Sequence, residues 1–155
     1  MADTFRIARS VTMAAPPERI APQIQDLRAW KNWSPYEKLD PQMKKTFSGA
    51  ERGEGATYAW EGNSKAGAGS MTIVAATPQK ISMALRFTKP MRSENTAEFT
   101  LEPDGAGTRV TWTMIGPKNL LMKVMGVFVN MDKMIGQAFE EGLGNLKELV
   151  EKAQG

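Results

Sequence analysis

Proton-transfer chemistry in this chain has to come from side chains other than histidine and cysteine, because its 155 residues contain neither. Their absence removes the commonest general base, the Ser-His and Cys-His pairs, thiolate nucleophiles, disulfides and most transition-metal sites. Tyr58, Arg9 and Asp132 are the remaining candidates for proton donor, orienter or base. Tyr58, Arg9 and Asn95 share the parity of apolar neighbours in extended segments, which places three polar groups on an otherwise greasy face. Asp132 lies within one helical step of Phe128 and Met131, at the edge of an apolar stripe. A carboxylate there acts as an acid or base if burial raises its pKa, and is inert if it pairs with Lys133 or meets water. Glu61, Glu94 and Glu98 would form an acid/base set only if they faced inward, and the parity of Glu94 and Glu98 against Ala97 and Phe99 favours solvent.

Several other chemistries are excluded or disfavoured. Gly53-Glu54-Gly55 and Gly67-Ala68-Gly69 lack the spacing of a phosphate-binding loop and read as turns. Twenty Lys and Arg against 17 Asp and Glu leave a formal charge of +3, spread from Arg6 to Lys152. So dilute an excess would neutralise few phosphates, and no nucleic-acid partner is expected. Met1 to Ile7 carries Asp3 and Arg6 where an apolar signal core would begin, so the cytoplasm is the expected compartment. The most apolar window, Leu120 to Met131, is interrupted by Lys123 and Gly126 and falls short of the roughly 20 residues that span a bilayer. No metal, cofactor or integral membrane association is expected.

These groups must be positioned by strands and one long helix. Thr4 to Met13 alternates Phe5, Ile7, Val11 and Met13 against Arg6, Ala8, Ser10 and Thr12, with Arg9 breaking the apolar side. Pro16-Pro17-Glu18 then opens a helix striped by Ile20, Ile24 and Leu27. Pro22 inside it predicts a kink or a late start. Trp30 and Trp33 fall on one side of a short helical turn ended by Pro35, where they either anchor that turn or gate an entrance. Met43–Ser48, Thr57–Glu61, Ser70–Thr77, Ile81–Thr88, Asn95–Leu101 and Arg109–Met114 are extended candidates separated by Gly, Pro, Asp and Asn, and form an antiparallel meander. Beyond Pro117 the period becomes 3.6: Val124, Phe128, Met131, Ile135, Phe139, Leu143, Leu146 and Val150 predict a long amphipathic helix lying across the sheet's apolar side. Gly126, Gly136, Gly142 and Gly144 within it predict close approach to the sheet or a ligand, or else a bent helix. No linker or repeat divides the chain, so residues 1–155 are expected to form one domain.

This order of elements, together with Ala15-Pro16-Pro17-Glu18, Trp30-Lys31-Asn32-Trp33-Ser34-Pro35, Gly107-Thr108-Arg109-Val110-Thr111-Trp112 and Gly142-Leu143-Gly144-Asn145-Leu146-Lys147, resembles the START-like (SRPBCC) superfamily and its polyketide cyclase/dehydratase-like group. The third string, after a Pro-Asp-Gly turn, is the most specific, and the resemblance covers nearly the whole chain. Pro22 departs from the family's uninterrupted first helix. The resemblance implies an α+β helix-grip fold: a seven-stranded curved antiparallel sheet wrapped around the C-terminal helix, with two short helices after strand 1. It also implies an internal pocket for lipids, sterols, polyketides or other apolar molecules, and in some members cyclisation or dehydration.

On that fold the expected pocket wall is Tyr58, Trp60, Met71, Ile73, Met83, Leu85, Phe87, Asn95, Phe99, Trp112 and Met114 from strands, faced by Met125, Phe128, Met131, Met134 and Ile135. Taken singly, each reads first as ordinary core. As a group they are more informative, since eleven methionines supply flexible thioethers suited to irregular apolar guests. The first expectation is therefore a binding module for a small hydrophobic or aromatic ligand. A cofactor-independent cyclase or dehydratase is the alternative. A third reading has an outer face around Arg86, Lys89 and Arg92 meeting a chaperone or membrane surface. Oligomeric state is open.

Overall fold

Alternation along the first strand decides which side of the sheet becomes the interior. β1 (Thr4–Met13) buries Phe5, Ile7 and Met13 and exposes Arg6, Ser10 and Thr12. The protein is seen in a computed structural model that describes residues 4–35, 43–63, 67–89, 92–117 and 128–152. Six further strands follow: β2 (Lys44–Gly49), β3 (Ala56–Glu61), β4 (Ala68–Ala76), β5 (Lys80–Lys89), β6 (Ser93–Asp104) and β7 (Gly107–Pro117). All pair antiparallel in one sheet of order β1-β7-β6-β5-β4-β3-β2. The sheet curves around the C-terminal helix, giving the helix-grip architecture.

The β6–β7 hairpin runs further than its alternation suggests. Pairing continues through Pro103↔Thr108 to Asp104↔Gly107, closed by Gly105 at a φ of 61°. Pro103 is tolerated because β5 has already ended opposite Thr100, so one side of β6 needs no donor there. In β4 the register slips between Ile73 and Ala75. Val74 is left over at that bulge, 52% exposed, while Ile73 stays fully buried.

The link between the two sheet edges supplies the first two helices. α1 (Pro17–Gln25) begins directly after Pro16, so the late start does not occur, and it buries Ile20, Ala21 and Ile24. Pro22 lies on its exposed side, where its ring meets solvent, and the helix stops three residues later. A 3-10 helix, η1 (Leu27–Asn32), follows at once, its first turn capped by the Asp26 carboxylate accepting from the Arg28 amide at 3.0 Å.

α2 (Phe128–Lys152) runs along β1 and also touches β7, α1 and η1. Its expected first residues, 124–127, lie outside the described ones. Phe139, Leu143, Leu146 and Val150 recur at helical spacing and are all at most 2% exposed. Its far end is tied to the end of β1, where the Ala14 amide donates to Glu151 at 2.8 Å and Lys147 reaches the same carboxylate at 2.9 Å. Among the described residues, no helix is long and apolar enough to cross a membrane.

Candidate functional site

The concave face is built in rows, because antiparallel register places inward side chains of neighbouring strands side by side. The deepest row relevant to the site is Arg9, Trp112, Phe99 and Ile81, taken from β1, β7, β6 and β5. Above it come Ile7, Met114, Ala97, Met83 and Ile73, and above that Asn95, Leu85, Met71, Tyr58 and Phe47. The outermost row brings Trp60 and Phe87 together across Gly69.

The deep row is solid. Phe139 of α2 stacks on Trp112 at 4.1 Å, and Trp112 stacks on Phe99 at 5.0 Å. Trp30 and Trp33, 4.6 Å apart, press their edges against both rings. Their indole N–H groups donate to the carbonyls of Ile24 (2.8 Å) and Gln23 (3.0 Å), which α1 leaves without helical donors when it stops at Gln25. Asn145 of α2 donates to the Trp33 carbonyl at 3.1 Å. Trp30 and Trp33 are thus anchors, 7% and 1% exposed. Phe99 and Trp112, expected in a pocket wall, stand inside this aromatic plug and form the floor beneath the upper rows.

The upper rows differ in packing. Tyr58, Met71, Ile73, Met83, Asn95 and Met114 are buried, whereas Trp60, Leu85, Phe87 and Ile135 are only half-buried although their strand parity or helix stripe points inward. Gly69 makes the outer pair possible: a Cβ there would lie 2.9 Å from Trp60 Cη2. Without one, Trp60 meets Phe87 edge-on at 5.9 Å and lies beside Tyr58 at 5.9 Å. Asn95 brings its amide oxygen over Gly116, beside the Phe5 ring. Tyr58 and Asn95 therefore set a phenol and an amide into a wall of hydrocarbon. Met125 and the side chains of Phe128, Met131, Asp132 and Met134 lie outside the described residues.

Arg9 does face the concave side, but it serves as a clamp between β1 and α2. Its guanidinium lies directly over Gly136, donates to Glu140 at 3.2 Å and returns a bond to the Ala8 carbonyl at 2.8 Å. Glu61, Glu94 and Glu98 sit on the outer face and approach Lys89, Arg86 and Lys80, each at 3.7 Å. Those pairings engage two of the three cations considered for an outer interaction surface; Arg92 is exposed.

A second concavity escaped the reading of the sequence. Leu27, Arg28 and Lys31 of η1 and Lys45, Phe47 and Tyr58 of β2 and β3 line a cavity of about 210 Å³. The signal was present in Lys45 and Phe47, which share one parity within a six-residue strand.

A family model described as polyketide cyclase/dehydrase and lipid transport matches residues 4–151. No curated protein matches the chain. Among solved structures, protein MLL2253 from Mesorhizobium loti is similar at 15% identity, covering 96% of this chain and 98% of its own, with a TM-score of 0.68. Protein Ms6760 from Mycobacterium smegmatis is 22% identical, with 99% and 95% covered and a TM-score of 0.63. DynU16, a putative protein in the dynemicin biosynthetic locus, is 14% identical with a TM-score of 0.66; the match covers 96% of this chain and 48% of that one. At these identities the likeness concerns the fold.

Proposed function

The chain belongs to the polyketide cyclase/dehydrase and lipid transport family, and on that premise we propose that it holds a small hydrophobic or aromatic molecule against the upper rows of its concave face. The observation that carries this reading is the contrast between rows. The plug is closed by its own aromatic rings, while Trp60, Leu85 and Phe87 point to the same side yet keep surface in reach of a guest. Apolar surface left half-covered on the inner side of a sheet gains about 25 cal/mol for each Å² that a ligand removes from water. Tyr58 and Asn95 supply the few polar groups that orient a guest in such a wall.

Native mass spectrometry of protein purified from its own host tests the proposal. A bound apolar mass is expected, and Trp60→Ala should lower uptake of a neutral naphthalene probe by about tenfold, the loss of one aromatic contact of roughly 1.4 kcal/mol. Absence of any bound molecule, together with no saturable uptake of the probe, would sink it.

A catalytic reading has one specific support, the phenol of Tyr58 buried in the same wall. Cyclase or dehydratase turnover would then depend on Tyr58 and Asp132, with Arg9 confined to its clamp. Tyr58→Phe and Asp132→Asn should each cut the rate by roughly 100-fold or more with folding intact; unchanged rates with a polyketide-like substrate remove both residues from consideration.

A further inference from the structure

The cavity between η1 and the β2–β3 edge is lined by three cations and two stacked aromatic rings, a composition unlike the upper rows. We propose that it binds a small aromatic carboxylate, at a site that borders the upper rows and shares Tyr58 with them. Phe47 and Tyr58 stack at 5.1 Å with their planes 26° apart, and the Arg28 guanidinium lies over the Phe47 face at 4.7 Å. Stacking leaves the in-plane N–H donors of a guanidinium at its rim, where a carboxylate accepts two of them side by side. Lys31 and Lys45 add positive charge from the two opposite walls. Among the described residues, no carboxylate lines the cavity and none pairs with Arg28 or Lys31.

The dimensions restrict the guest. A volume of about 210 Å³ is below the roughly 300 to 1,000 Å³ that encloses drug-sized molecules, so one ring with its charged group is the size that fits. Leu27 and the two aromatic faces give the ring its apolar contacts. An inward lysine on an edge strand also discourages pairing with a further strand. That role accounts for Lys45 and leaves Arg28, Lys31 and the ring stack unexplained.

The test is an NMR titration of the isotope-labelled protein with benzoate and with its neutral isostere benzamide. Benzoate should shift the Leu27 methyl and the Phe47 and Tyr58 ring resonances saturably, and benzamide should bind at least tenfold more weakly. Arg28→Gln combined with Lys31→Gln should weaken benzoate at least tenfold; both residues are exposed, so the variant's unchanged spectrum elsewhere checks its fold. Equal binding of the two probes, equal binding of acetate and benzoate, or an unaffected double variant overturns the proposal. Shifts confined to Trp60 and Phe87 also overturn it. The concave-face reading is unaffected by failure here, because its probe is neutral and its variant, Trp60→Ala, lies on the outermost row and outside the lining of this cavity.

Discussion

Single side chains hold this fold together at the places where secondary structure runs out of partners. The indoles of Trp30 and Trp33 satisfy two carbonyls that α1 exposes on ending, so two of the largest apolar side chains are fixed by polar contacts as well as by packing. Arg9 does the equivalent between β1 and α2. Among the described residues, Glu151 has a carboxyl held below its ordinary value of 4.5 by the Ala14 amide and, after it, Lys147. A depressed carboxyl stabilises the fold above the unfolded group's pKa, and that contribution fades as pH falls through the folded one. The stability gap between the parent and Glu151→Gln, measured by urea unfolding, should therefore be constant near neutrality and narrow below pH 4.5. A gap that widens with acid would contradict this assignment.

At the scale of elements, α2 carries two glycines with opposite surroundings. A Cβ at Gly142 would lie 2.8 Å from Trp112 Cζ3 and 2.9 Å from Pro35 Cδ, whereas nothing lies within 4 Å of one at Gly144. Gly142→Ala should cost about 1 to 3 kcal/mol through overpacking of the plug. Gly144→Ala should gain up to about 1 kcal/mol from helix propensity. Denaturant midpoints of the two variants, moving in opposite directions, would show that close approach of helix and sheet, rather than helix bending, explains Gly142. The strands were largely legible from alternation: β1 has the bounds its parity gives, and the others differ by a few residues at their ends. The β6–β7 hairpin runs past its expected turn because Pro103, which reads as a stop, lies beyond the point where β5 pairs with β6, and the far end of β7 is lengthened by pairing with Thr4–Arg6 of β1. Pro22 does not delay α1, which starts directly after Pro16 and carries the proline on its exposed side.

For the whole molecule, parity assigned a face to each residue but not a depth. Trp112 and Phe99 share the inward side with Leu85 and Phe87, yet the first two are sealed by Trp30 and Trp33 at η1 and by Phe139 of α2, while the others stay half-buried. Depth follows from which rows the helices cover, and no local pattern encodes that. The same holds for Arg9, whose parity was legible while its partners Glu140 and Gly136 are more than 120 positions away. The cavity beside η1 was not legible because its walls are a six-residue 3-10 helix and a mostly exposed six-residue edge strand, both too short to carry a clear pattern. Three of the four tryptophans occupy the plug, with rings 4.6 to 5.9 Å apart, and Trp60 alone stands in the outer row. Intrinsic fluorescence is thereby divided by location. Emission from the coupled trio reports global unfolding, while acrylamide quenches Trp60 first, so a single unlabelled sample reads occupancy of the upper wall and integrity of the floor as two separate signals.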